Sequence, residues 1–211
     1  MRYRTPVHVV ALLLSGCAKP EVVEFPSELA PLEENKAPWP SSSDGEELEI
    51  VSGGDDSLWW AHARGYVQAP AAEVWQHLRD PDADVDRREV DEWVVTPDTE
   101  PRFDDSYTIH CVVHDLITVE YDLTWVHELQ AGKEVAPDRV MAHWSKTDGT
   151  AFITLLEGTL LLEPESATIT RIEYVEHLEA AQRDDETIAQ YLTDLHATIA
   201  ALSRGEPLPV W

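Results

Sequence analysis

The sequence predicts an α+β fold, an antiparallel sheet of about six to seven strands covered by one long C-terminal helix. Three features predict it. Residues 121–129 alternate Tyr121, Leu123, Trp125, His127 and Leu129 with a mostly polar set, the period of a strand with one covered face. Seven runs of strand character, parted by turn residues, fill most of 59–177. The last element repeats apolar residues at steps of three and four, the spacing of one helix face.

Residues 59–68 form the first predicted strand. In APAAEVWQHLRD, which follows, Pro70 suits a first helical turn, Glu73 lies near its positive end, and Val74 and Leu78 share a face. The stretch DPDADVDRR reads as a solvated acidic turn. Asp82, Asp84 and Asp86 briefly resemble a calcium loop, but Arg87 and Trp93 stand where that loop requires glycine and glutamate. Strands are then predicted over 92–95, 106–113, 118–129, 140–146, 152–162 and 168–177. Pro97, Ala131-Gly132, Pro137-Asp138, Asp148-Gly149 and Pro164 supply turn signals between them. The 152–162 run is apolar on both faces and so belongs centrally, with Gly158 relieving a bend or a close contact. Asp184 or Asp185 caps the final helix, whose stripe is Ile188, Tyr191, Leu192, Leu195, Ile199 and Leu202; Gly205 and Pro207 end it. At 1.5 Å per residue that helix is about 28 Å long, and its single apolar stripe needs a sheet to cover it.

Charge narrows the function. The 211 residues carry 41 Asp and Glu against 15 Lys and Arg, a net −26, so the chain repels phosphate backbones and no nucleic-acid partner is expected. The same charge favours a soluble monomer. At the N-terminus, Arg2 and Arg4 precede an apolar run over 7–14, which at about half of the roughly 20 residues needed to span a bilayer reads as a secretion signal. Residues 18–57 are rich in Pro, Ser and acids without either period and read as a disordered tether.

Leu14-Ser15-Gly16-Cys17 resembles the lipobox of bacterial lipoproteins. The resemblance implies removal of residues 1–16 as a signal peptide and acylation of Cys17 with chains such as palmitate, which anchor a protein to a membrane. Residues 17–57 then form the lipidated N-terminus and tether, 58–205 the domain and 206–211 a tail. Ala18, where some lipoproteins carry aspartate, implies the outer membrane of the cell envelope, facing the periplasm. Cys111 would be the one free thiol, buried and inert between Ile109 and Val113.

The order of elements, together with ARGYVQAPAAEVWQHLRDP at 63–81, EGTLLLEP at 157–164 and ATITRIEYVEHL at 167–178, resembles the SRPBCC superfamily. That superfamily joins START lipid-transfer domains, Bet v 1-like proteins and polyketide cyclase-like proteins. The resemblance implies a helix-grip fold, a curved sheet wrapped on the long helix around an apolar cavity that holds a lipid-like molecule. The candidate ligand-binding lining is Tyr121, Leu123, Trp125, His127, Leu156, Leu160, Leu162, Ile172, Tyr174, Tyr191, Leu195 and Ile199. These residues equally suit a dry core.

The chemical motifs are sparse. His110 and His114 would point the same way from a strand about 13 Å apart, too far for one ion. His127, His143 and His177 either converge across strands or are buried, hydrogen-bonded histidines; no metal and no cofactor is assigned. HELQA at 127–131 lacks a second histidine, and no GxSxG, GxGxxG, P-loop or CxxC motif is present. The leading expectation is therefore a lipid-anchored, non-enzymatic protein that binds or carries a hydrophobic small molecule. The alternatives are a cyclase or hydratase using His127 or His143 with a carboxylate such as Glu157 or Glu173, and a module with a filled core that binds a protein partner.

Overall fold

The computed structural model describes Phe25 and residues 29–210 except 56, 115, 116 and 182. The signal-like stretch, the lipobox and Cys17 lie outside the described residues. Eight strands and three helices follow in the order β1 (Leu48–Gly54), β2 (Trp59–Val67), α1 (Ala71–Leu78), α2 (Pro81–Asp84), β3 (Glu92–Pro97), β4 (Asp105–His114), β5 (Thr118–Lys133), β6 (Ala136–Gly149), β7 (Ile153–Pro164), β8 (Thr170–Ala180) and α3 (Asp185–Ser203). All strands join one curved, open antiparallel sheet in the order β1-β2-β8-β7-β6-β5-β4-β3. Helix α3 lies across the concave face. Among the described residues no helix is long and apolar enough to cross a membrane.

Alternation works as predicted. Tyr121, Leu123, Trp125 and His127 of β5 are buried and belong, His127 apart, to the main apolar core. Val126, on the opposite face, joins Phe25, Leu29 and Met141 in a smaller outer cluster. In α3, the Asp184 carboxylate accepts from Thr187 N at 3.2 Å and so caps the helix. Ile188, Leu192, Leu195 and Ile199 are at most 3 % exposed. Gly158 marks a close contact: a Cβ there would stand 1.9 Å from the Trp144 indole, which packs against the bare backbone.

The tether reading fails over 29–54, where the sheet has an eighth strand and an ordered outer layer. Strand β1 pairs with β2 in register from Leu48↔Gly65 to Gly54↔Trp59. The preceding segment lies on the convex face of β2 and β8. Asn35 Nδ2 donates to the carbonyls of Ala63 and Tyr174, each at 3.0 Å, and Arg64 donates to the Ala37 carbonyl at 2.8 Å. An aperiodic segment can be ordered when its polar groups find partners on a sheet that is already folded, and no periodicity records that.

Candidate functional site

The strands that pass under α3 enclose a core that is filled at one end and hollow at the other. At the filled end Trp144 stacks on Trp125 with ring centres 4.4 Å apart, and Tyr107 and His127 continue the layer beyond Trp125. At the hollow end is a cavity of about 380 Å³, near the lower end of the range for small-molecule sites. Each inward row crosses the boundary. Tyr107 on β4 is in the filled half, whereas Ile109, Cys111 and Val113 line the cavity. On β8, Ile172 and Tyr174 are packed, while Glu176, Leu178 and Ala180 line the cavity.

Strand pairing explains where the hollow lies. Pairing between β6 and β7 runs from Val140↔Leu162 to Ser145↔Glu157 and stops there. Beyond that point β6 stays with β5 as far as Gly149, and β7 stays with β8 from Ile153. The two strands splay, and the space behind the splay is the cavity. Ile117 and Phe152, both lining residues and both 44 % exposed, mark its open side.

Of the residues predicted to bind ligand, Tyr121, Leu123, Leu156 and Tyr191 line this cavity. Trp125, His127, Leu160, Leu162, Ile172, Tyr174, Leu195 and Ile199 do not; each is at most 2 % exposed in the filled half. His127 and His143, the histidines expected to act as acid or base in a cyclase or hydratase, are not among the described residues that line the cavity. Cys111 does line it, with burial pushing its thiol up to about 12, far from a reactive thiolate.

The reading of 82–86 as a solvated turn also fails. Pro81 opens the short α2, capped by Asp80, and places Asp84 inside at 1 % exposure. The Tyr107 hydroxyl donates to Asp84 Oδ2, and His127 Nε2 lies 3.1 Å from the same hydroxyl. Burial pushes Asp84 well above the usual carboxylate range and His127 down to about 3, so the imidazole is neutral at neutral pH. Asp84 and Glu176, each 1 % exposed, are among the residues that line the cavity, and Asp84 Oδ1 and Glu176 Oε2 have no hydrogen-bond partner. Burial holds Glu176 well above the usual carboxylate range. The Trp144 indole favours its charge but stands outside hydrogen-bonding geometry. Asp86 lines the same space and is raised by burial.

The three strand histidines do not converge. His127 faces inward, His143 packs edge-on against Phe25 at 5.2 Å on the outer face, and His177 joins His62 and Glu33. In that outer group Glu33 Oε1 lies 2.8 Å from His62 Nε2 and 3.1 Å from His177 Nε2. The three could offer a metal one ligand atom each, all within 4.8 Å. Lys36 N, however, donates to His62 Nδ1 at 2.8 Å, which places the proton of neutral His62 on Nε2, aimed at Glu33. A metal would have to displace that proton, so the geometry is that of a hydrogen-bonded clasp. Burial works against the charge of Glu33, but His177, His62 and Lys36 outweigh it and hold the carboxyl down to about 2.

His143 gives a pH prediction. It is 7 % exposed with neither ring nitrogen partnered among the described residues, and burial, partly offset by the charge of Glu157, holds it down to about 4 from 6.5. The unfolded chain therefore takes up this proton first as pH falls. The stability tied to neutral His143 is present above pH 6.5 and lost between 6.5 and about 4. His143→Leu should flatten that limb of a urea-midpoint series by up to about 1.4 kcal/mol per pH unit, the weight of one proton. An unchanged slope would mean that the ring takes up its proton alike in the folded and unfolded chain.

No protein-family profile and no curated relative matches the chain. Solved structures do. The lipid transfer and protein localization domain of human StarD13 (DLC2) matches with a TM-score of 0.52 at 14 % identity, over 79 % of this chain and 88 % of that one. A STAR-related lipid transfer protein from Xanthomonas axonopodis gives 0.51 at 14 %, over 76 % and 96 %. Human StAR-related lipid transfer protein 5 gives 0.50 at 10 %, over 78 % and 89 %. The chain has a START-like helix-grip fold.

Proposed function

We propose that this chain binds a hydrophobic small molecule in the cavity beneath α3 and is held at the cell envelope by lipid on Cys17. One observation carries the binding half: a hollow of about 380 Å³ beside the filled half of the core, walled by Ile109, Leu123, Ile153, Leu156, Leu178 and Ile188 and open between Ile117 and Phe152. Moving apolar ligand surface into such a space is favourable at about 25 cal/mol per Å² removed from water. The matching START-related proteins, which are named for lipid transfer, support this reading. The anchoring half rests on Leu14-Ser15-Gly16-Cys17 after an apolar run, with the outer membrane, periplasmic side, as the expected location. The protein then acts as a membrane-tethered binder or carrier.

Expression with labelled palmitate followed by organic extraction and mass spectrometry tests both halves. Label should attach to the chain and not to Cys17→Ala, and an apolar molecule should leave with the extracted protein. A chain that takes up no label overturns the anchor. Repeated absence of any extractable apolar molecule, together with no uptake of a fluorescent fatty acid or sterol, overturns the binding.

A further inference from the structure

The carboxyl groups on the cavity wall suggest which hydrophobic molecule fits. Asp84, Asp86, Glu89 and Glu176 line the space, and the described lining offers one guanidinium, Arg183, which is paired with Glu89. Acidic side chains on a protein of net −26 are unremarkable at the surface, but two of these are not there. Glu176 and Asp84 are each 1 % exposed, and each has an oxygen with no hydrogen-bond partner, Oε2 and Oδ1. A buried polar atom without a partner costs free energy, and few such atoms persist in a packed core without a reason. Here both residues belong to the wall of the hollow beneath α3.

We propose that the cavity takes a hydrophobic amine, an apolar body inside the wall and a protonated nitrogen against Glu176 and Asp86. This rests on the reading of the cavity as a ligand site and names the class of ligand. The geometry ranks the head groups. A carboxylate such as that of a fatty acid would meet four acids, and the one lining guanidinium, Arg183, is already paired with Glu89, so the ligand's desolvation would go uncompensated. A hydroxyl could bond to one carboxyl and leave the others as they are. An ammonium supplies the donors that Glu176 Oε2 lacks, and its charge favours the ionised form that burial disfavours. Tyr121 and Tyr191 flank the same groups. Tyr191 is oriented by its own hydroxyl donating to the Asp84 carbonyl at 3.1 Å, so it does not compete for the orphan oxygens.

Calorimetric titration of the purified full-length chain with octylamine, octanol and octanoate tests the ranking, since the three share one apolar body. Octylamine should bind about tenfold or more tightly than octanol, and octanoate the weakest, as expected for a charge-assisted hydrogen bond against a neutral one. Glu176→Gln, isosteric and uncharged, should remove about tenfold of the amine affinity while octanol stays within about twofold. Asp86→Asn, closer to the surface, serves if Glu176→Gln does not fold, and should act in the same direction. Equal binding of amine and alcohol, tighter binding of octanoate, or a Glu176→Gln effect common to all three ligands overturns the amine preference and leaves the cavity as an apolar ligand site. Failure of all three to bind, with nothing extractable from the protein, overturns the ligand reading itself and the preference with it.

Discussion

Replacing Trp144 with alanine should cost about 3–5 kcal/mol, the usual range for removing a fully buried tryptophan from a close-packed core. For a domain of this size that lowers the melting temperature by on the order of 10 °C. Trp144 is fully buried, stacks on Trp125 at 4.4 Å and covers the backbone of Gly158, so its removal leaves a void against three strands. The neighbours are held in place by their own packing. Trp125 is wedged between Trp144 and the Tyr107 and His127 rings, and Tyr107 is tied to Asp84 and to the Leu78 carbonyl, the latter at 3.3 Å. The core therefore cannot collapse into the space, which puts the expected loss at the upper part of the range. Urea unfolding would show a lower midpoint with an unchanged slope, whereas Val135→Ala, at a position 83 % exposed, should stay within about 0.5 kcal/mol of the parent. A loss below about 1 kcal/mol for Trp144→Ala would mean that the tryptophan stack is not the packing centre of the fold.

The stack also shows which parts of the molecule were legible before the structure. Period two correctly turned Tyr121, Leu123, Trp125 and His127 inward, and steps of three and four placed Ile188, Leu195 and Ile199 under the sheet. Both patterns report which way a side chain faces. Neither reports how far along a strand the interior is filled, because that depends on what arrives from other strands. Trp144, from the neighbouring strand, fills the space beside Trp125 and makes that end solid. A size gradient along the inward rows carried the missing signal: Tyr107 and Trp125 at one end give way to Cys111, Val113, Val119 and Ala180 at the other. The acids were hidden for a different reason. An Asp-rich stretch behind Pro81 has the composition of a solvated turn, and the partner that brings Asp84 inside, Tyr107, lies on another strand. The outer layer over 29–47 leaves no repeat in the sequence, because Asn35, with two tertiary bonds, and Lys36 are ordered by individual contacts to the sheet.

If the solid and hollow halves are separate in space, they are also separable by mutation, and filling the hollow half gives the larger effect on function. Leu156→Trp places an indole on a wall residue that is only partly buried, beside the splay between β6 and β7, where space already exists. A cavity of about 380 Å³ has little room for both an indole and a ligand, so uptake of a fluorescent hydrophobic probe should fall by at least about tenfold. Stability should hold or rise slightly, because the new ring gains contacts across a void without displacing packed atoms. Trp144→Ala should do the reverse, losing several kcal/mol of stability while the apolar wall of Ile109, Leu156 and Leu178 still takes up the probe at a temperature well below the variant's own melting point. Equilibrium probe titration and thermal unfolding of both variants would measure the dissociation directly. A Leu156→Trp protein that binds as the parent does would place the ligand elsewhere than under α3. One that unfolds early would show that the wall at Leu156 is already packed to capacity, and the hollow would then be too small for a guest.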